Sequence, residues 1–291
     1  MTVKLDRLIL GANPFEGVSY ISRSQSVHYL EYFAKDENVV AVLDAAYNAG
    51  VRAVTCSNTA NVMAAFQKFP RTKDLAIYPV IPNAYEYAME ASEKGVLGAV
   101  LSKARGFSIY QKVKLGLRAI AKIKSVLTKD VMDLLLELLN FEMTSFEKLN
   151  LGGVILHGQI TDLALSSHNP DILSIFQDVI RESYDLEPIL ATHNFGLLLP
   201  QLIEWKIKIP IMAPLNSKGF MMKPSKEECE KFVQEAGYQI IAKKVLASGR
   251  LTPEEAFSYL LDKKIDAVVV GVGSVSEAYH TFAAAKNILK I

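Results

Sequence analysis

The sequence predicts an α/β fold, a single (β/α)8 barrel spanning residues 1–291. Three observations carry this: eight short aliphatic runs, a helical stretch after each, and repeated helix-start signals between them. The runs are Arg7–Gly11, Arg52–Cys56, Leu75–Ile81, Gly153–His157, Pro188–His193, Ile209–Ala213, Gln239–Lys243 and Ala267–Gly271. A run such as Ala267-Val-Val-Val270 has no polar alternate position, which suits a strand buried on both faces, and alternation with helices points to a parallel sheet. Eight such units favour a closed barrel over an open sheet. A chain of 291 residues could hold two average domains, but barrels of about 250 residues fold as one unit.

The helices carry their own punctuation. Val39–Asn48, preceded by Asn38 and followed by Gly50, reads as a helix with a glycine stop leading into strand two. Ser225-Lys-Glu-Glu228 has the capping-box pattern, and Thr252-Pro-Glu-Glu255 puts proline at the first helical position. One connection is far longer than the rest. About 70 residues separate Pro82 from Gly153, where a few loop residues and one helix would suffice. Residues 83–150 read as a helical insertion with a basic amphipathic stretch at Lys112–Lys124 and a leucine-rich one at Met132–Leu139. Leaving from the carboxyl end of strand three, the insertion is expected to form a lid or a contact between copies in a homo-oligomer. No internal repeat, low-complexity segment or linker divides the chain.

Composition narrows the function. Half the residues are hydrophobic and 22% are charged, enough apolar mass for one large core. Thirty-two basic and 31 acidic residues give a net charge of +1, which offers no electrostatic footprint for nucleic acid. No run approaches the roughly 18 apolar residues of a membrane span, and the amino-terminal stretch lacks a signal-peptide pattern. The expectation is a soluble, cytoplasmic protein whose partner is a small-molecule ligand. Cys56 and Cys229 lie far apart and outside any metal-type spacing, so no disulfide framework or zinc site is implied.

In a barrel the residues just past each strand build the site. Here they are Asn13 and Glu16 after strand one, Asn58 after strand two, His157 after strand four, and His193 and Asn194 after strand five. Asn216 follows strand six, Lys243 and Lys244 end strand seven with Arg250 beyond, and strand eight ends in Gly271-Val-Gly273-Ser274. Only Glu16 is a carboxylate. That argues against a glycosidase, which needs two carboxyl groups, and against magnesium, which needs oxygen ligands. His157 and His193 lack an evident third ligand, so no metal is expected.

The two histidines end neighbouring strands, about 4.8 Å apart in a sheet, and suit acid–base work on one substrate. Strand alternation sends only one of Lys243 and Lys244 into the barrel mouth. That lysine could form a Schiff base, hold an oxyanion or neutralise a phosphate. Arg250 and the glycine-rich turn Gly271–Ser274, opening the last helix, read as an anion or phosphate site, with Asn13, Glu16, Asn58 and Asn216 placed as substrate contacts.

Several segments resemble aldo-keto reductases: Arg7–Gly17 their opening strand, Leu43–Gly50 their first helix, and Leu151-Gly-Gly-Val-Ile-Leu-His157 their histidine-bearing strand. Ala191-Thr-His-Asn-Phe195, Ala242–Gly249 and Gly271–Ala285 resemble their fifth strand, seventh strand and cofactor-phosphate helix. The resemblance implies a carbonyl-orienting role for His157 and a nicotinamide contact for Asn194. It also implies losses. Thr55 and Ala60 stand where the family has its aspartate and proton-donor tyrosine, no lysine stands in Tyr78–Asn83, and no arginine follows Gly271.

The expected function is therefore a divergent reductase-like enzyme doing acid–base or carbonyl chemistry on a small, phosphorylated compound. His157, His193 and the lysine pair would be its catalytic residues. The cofactor stays open: NAD(P) could bind through Asn194, Arg250, Gly271, Gly273 and Ser274, with a histidine replacing the lost tyrosine in an oxidoreductase. A binding protein on an inherited barrel is the other alternative.

Overall fold

A computed structural model describes residues 5–83, 131–235 and 237–291. Eight parallel strands close in sequence order into a barrel, β8 pairing with β1. The strands are β1 (Leu8–Gly11), β2 (Ala53–Cys56), β3 (Ala76–Ile81), β4 (Val154–Leu156), β5 (Pro188–Ala191), β6 (Ile211–Pro214), β7 (Ile240–Lys243) and β8 (Ala267–Gly271). All eight expected runs hold a strand; Ala267–Gly271 matches in full and the other seven are trimmed or shifted by a residue or two at their ends. Ten helices lie among the described residues: α1 (Arg23–Phe33), α2 (Asp36–Asn48), α3 (Ala60–Lys68), α4 (Val131–Phe146), α5 (Gly158–Ser166), α6 (Asp171–Tyr184), α7 (Phe195–Glu204), α8 (Lys226–Glu235), α9 (Pro253–Leu260) and α10 (Val275–Leu289). The leucine-rich stretch falls within α4. Most of the expected insertion, including Lys112–Lys124, lies outside the described residues. No described helix is long and apolar enough to cross a membrane.

The punctuation works as the residue types require. Thr252 and Glu255 form a reciprocal capping box with Pro253 in the first turn of α9, and Ser225 Oγ accepts the Glu228 amide at 3.2 Å before α8. Gly50 follows α2 at φ +98°, a left-handed conformation that only glycine adopts cheaply. The helix itself starts three residues earlier than the sequence suggests, at Asp36.

Side chains at alternate strand positions divide between two cores. Leu10, Val54, Ile77, Leu156, Leu190, Ala242 and Val270 face the helices. Ile9, Ala53, Tyr78, Ile155, Ile189, Met212, Ile241 and Val269 fill the barrel interior. Tyr78 is the largest of this inner set. Its hydroxyl donates to Asp6 Oδ2 at 2.9 Å, and its ring lies so close to Gly152 that a Cβ there would sit 2.5 Å from it. The ring plugs the amino-terminal half and leaves the carboxyl end to the site.

Tyr78→Ala should cost about 3–5 kcal/mol, the usual toll for truncating a buried aromatic. Tyr78→Phe should cost about 1 kcal/mol, for the hydrogen bond alone. Equilibrium urea unfolding of both variants measures the difference, and near-equal losses would deny the ring its packing role.

Candidate active site at the carboxyl end of the barrel

Strand parity delivers the first three polar side chains. His157, His193 and Lys243 each stand two positions beyond an inward residue, Ile155, Ala191 and Ile241 respectively, and so continue into the barrel mouth. There they border a cavity of about 260 Å³. Thr55, Met212 and Val269 contribute to its lining, as do Tyr20 from the β1–α1 loop and Ser248 and Gly249 from the β7–α9 loop.

Alternation admits only one of the two lysines, yet both line the cavity. The reason is local. Lys244 lies one residue past the strand with φ +55°, and this left-handed turn breaks the alternation and brings its side chain back to the mouth. Its Nζ sits over the Tyr20 ring, 3.1 Å from the centroid. The turn is braced from behind: Asn216, wholly buried, donates to the Lys244 carbonyl at 3.2 Å and holds Phe220 through both amide atoms. Ala247 and Ser248 also have positive φ, costly for residues with a Cβ, so strained backbone is concentrated in the loop beside the cavity.

Electrostatics follow from crowding cations away from water. Burial and Lys243 push His157 down to about 4, with Asp162 acting in the opposite sense. Burial, Lys243, Lys244 and His157 push His193 down to about 3. Both rings are neutral at pH 7. His157 Nδ1 accepts the Gln159 amide at 3.3 Å as the cap of α5, which leaves its proton on Nε2. Burial lowers Lys243 to about 8 while Asp162 holds it up. The side chain borders the cavity, but protein displaces most of the water that would solvate an ammonium. Lys244 falls to about 7 through burial and repulsion from Lys243.

Asp162, on α5, is the residue that strand-end reasoning misses. Its Oδ1 accepts Thr192 Oγ1 at 2.6 Å and its Oδ2 the His193 amide at 3.4 Å. His193 Nδ1 lies 3.9 Å from Oδ2, beyond hydrogen-bond range, and the ring is neutral, so the pair is a polar contact and not a salt bridge. The available signal was a carboxylate four residues after Gly158, a helical spacing that puts both on one face.

The remaining expected residues are placed differently. Asn13 and Gly271 line the cavity, and the Asn13 side chain hydrogen-bonds Tyr20. Glu16 accepts the Ser57 amide at 2.6 Å and Ser57 Oγ at 3.1 Å, tying the first loop to β2. Asn58, Asn194, Asn216 and Arg250 do not border the cavity. Arg250 donates to the Ala247 carbonyl at 2.8 Å and stacks on Phe220. Ser274 caps α10, and the Gly273 amide donates to Glu277 Oε2 at 2.6 Å. Among the described residues no three histidine, cysteine or acidic side chains gather as a metal site.

The nicotinamide dinucleotide implied by the reductase resemblance does not fit these residues. The Gly273 amide is taken by a carboxylate, Glu277 itself borders the cavity, and a pyrophosphate there would meet negative charge. Arg250 does not border the cavity, and about 260 Å³ lies below the roughly 300–1,000 Å³ of sites for drug-sized molecules.

Neutral burial of the histidines makes a definite demand on stability. Their folded pKa values, about 4 and about 3, lie below the ordinary 6.5, so the unfolded chain binds protons first and stability drops on acidification through that window. The urea midpoint should fall between pH 6.5 and pH 4, and fall less steeply in His193→Gln. A midpoint independent of pH over this range would contradict the neutral assignment.

No protein-family model matches the chain, and no curated protein matches it. Among solved structures, a "putative aldo-keto reductase" from Pseudomonas aeruginosa superposes over 97% of this chain and 90% of its own, with a TM-score of 0.55 at 13% identity. Aldose reductase from Giardia lamblia superposes over 98% and 89%, with a TM-score of 0.52 at 10% identity. This chain therefore has the (β/α)8 barrel fold seen in aldo-keto reductases.

Proposed function

We propose that this chain is an enzyme that condenses a lysine amine with the carbonyl group of a small anionic compound. One observation carries the reading: two lysines with pKa values lowered to about 8 and about 7 share one cavity with two neutral histidines. A lysine becomes a nucleophile when burial and a neighbouring cation strip its proton, and such perturbed groups in a cleft mark functional sites.

Lys243 is the nucleophile because it continues the inward series of β7 into the mouth beside both histidines. Lys244 loses its proton first, at about 7 against about 8, so the neutral Lys243 amine arises by passing one proton to Lys244, whose ammonium the Tyr20 face stabilises. The neutral Lys243 nitrogen forms a bond to the carbonyl carbon as the C–O π bond breaks, and proton transfer from nitrogen to oxygen gives a carbinolamine. Lys244 then gives a proton to the departing hydroxyl, the C–O bond breaks, and water leaves with the iminium on Lys243. The pair holds one proton charge before and after. His157 Nε2–H is a donor for the carbonyl oxygen. At about 4 and about 3, both rings serve as hydrogen-bonding groups and not as proton stores.

Because the pair titrates as a unit, the reactive state with one amine and one ammonium prevails between about 7 and about 8. The rate of borohydride-trapped imine formation should trace a bell over pH 5.5–10 with its summit in that interval. A rate still climbing at pH 10 would point to an ordinary surface lysine. His157→Gln should slow trapping by about 10²-fold, the scale of one lost oxyanion donor, and Lys243→Met should abolish the adduct.

A further inference from the structure

Resting on the imine reading, we infer that the substrate is a small oxo acid, a molecule with one carbonyl and one carboxylate and no phosphate. The first argument is charge. In the iminium complex with Lys244 reprotonated from solvent, two positive groups stand against two carboxylates, Glu277 on the cavity wall and Asp162 behind His193. That set is already balanced, so an added anion must be offset by direct contact with the Lys244 ammonium. One carboxylate needs one such contact, whereas a phosphate monoester, at about −1.5 to −2 near pH 7, brings an excess that Glu277 penalises.

The second argument is donor supply. A phosphate presents three oxygens and is matched by a guanidinium fork or a helix N-terminus. Arg250 does not border the cavity, holding the Ala247 carbonyl and the Phe220 ring instead, and the Gly273 amide is held by Glu277. Left beside the cavity are Lys244 and the turn at Ser248 and Gly249, whose amides find no backbone or side-chain acceptor among the described residues. Two amides and an ammonium suit the two oxygens of a carboxylate. The third argument is size: a void of about 260 Å³ lined in part by Met212 and Val269 takes a short chain.

Reductive trapping with a probe panel tests this on the full chain. Pyruvate and 2-oxobutanoate are the oxo acids, acetone and butanone the uncharged controls, and dihydroxyacetone phosphate the phosphorylated carbonyl, with the adduct located on Lys243 by peptide mass. The oxo acids should label at least tenfold faster than the controls and the phosphate ester. Propionate should slow that labelling where equimolar inorganic phosphate does not, a readout needing no variant. Lys244→Met, checked for a native circular-dichroism spectrum, should bring the acid-to-ketone ratio toward one. Faster labelling by the phosphate ester, or labelling indifferent to charge, would overturn the oxo-acid inference and leave the imine reading intact. No adduct at Lys243 with any probe would remove both.

Discussion

Period-two alternation along eight parallel strands is the constraint on which the rest of this molecule depends. Each inward position is shared by a ring of strands, so a side chain placed at one strand's end meets those of its neighbours across the mouth. His157, His193 and Lys243 meet in this way: each continues an inward series that begins in the apolar interior at Ile155, Ala191 or Ile241. Slipping any one strand by a residue would turn its polar terminus into the helix layer, where a lysine or imidazole would find no water and no partner. Barrel closure and site assembly are thus one event.

The site also departs from that rule at one place. Lys244 reaches the cavity because the chain turns left-handed straight after β7, and Asn216 holds the turn through the Lys244 carbonyl. Two adjacent cations then share one pocket. Burial lowers both amines, with repulsion from Lys243 adding to it at Lys244, and burial together with the lysine charges keeps the histidines beside them neutral. Asp162 limits how far this goes, since it sustains part of the charge on Lys243.

Much of the fold was legible because burial on both faces writes itself into composition: short runs like Val268-Val-Val270, bounded by turns, suit a strand covered on both sides. Helix starts at Thr252 and Ser274 were equally plain, because capping needs a short side-chain oxygen next to a free amide. The site was legible only as far as parity extends. His157, His193 and Lys243 followed from strand position; Lys244 did not, since alternation stops where the strand stops. Glu16, Asn216 and Arg250 look available in a string of letters, but each finds a partner within the protein once loops close, and only coordinates reveal that Ser57, Phe220 and Ala247 are those partners. Asp162 was hidden for the opposite reason. It reaches the histidine from a helix, through a spacing that has no meaning until the helix is docked.

The Tyr78 plug gives the barrel a direction. With the amino-terminal half filled by that ring against Gly152 and anchored on Asp6, the central axis is blocked below, and the cavity is lined by residues at the carboxyl end. Whatever enters must leave by the same mouth. On the proposed imine reading, an expelled water or a finished product would compete with the incoming molecule for that passage, and each filling would wait on the emptying before it.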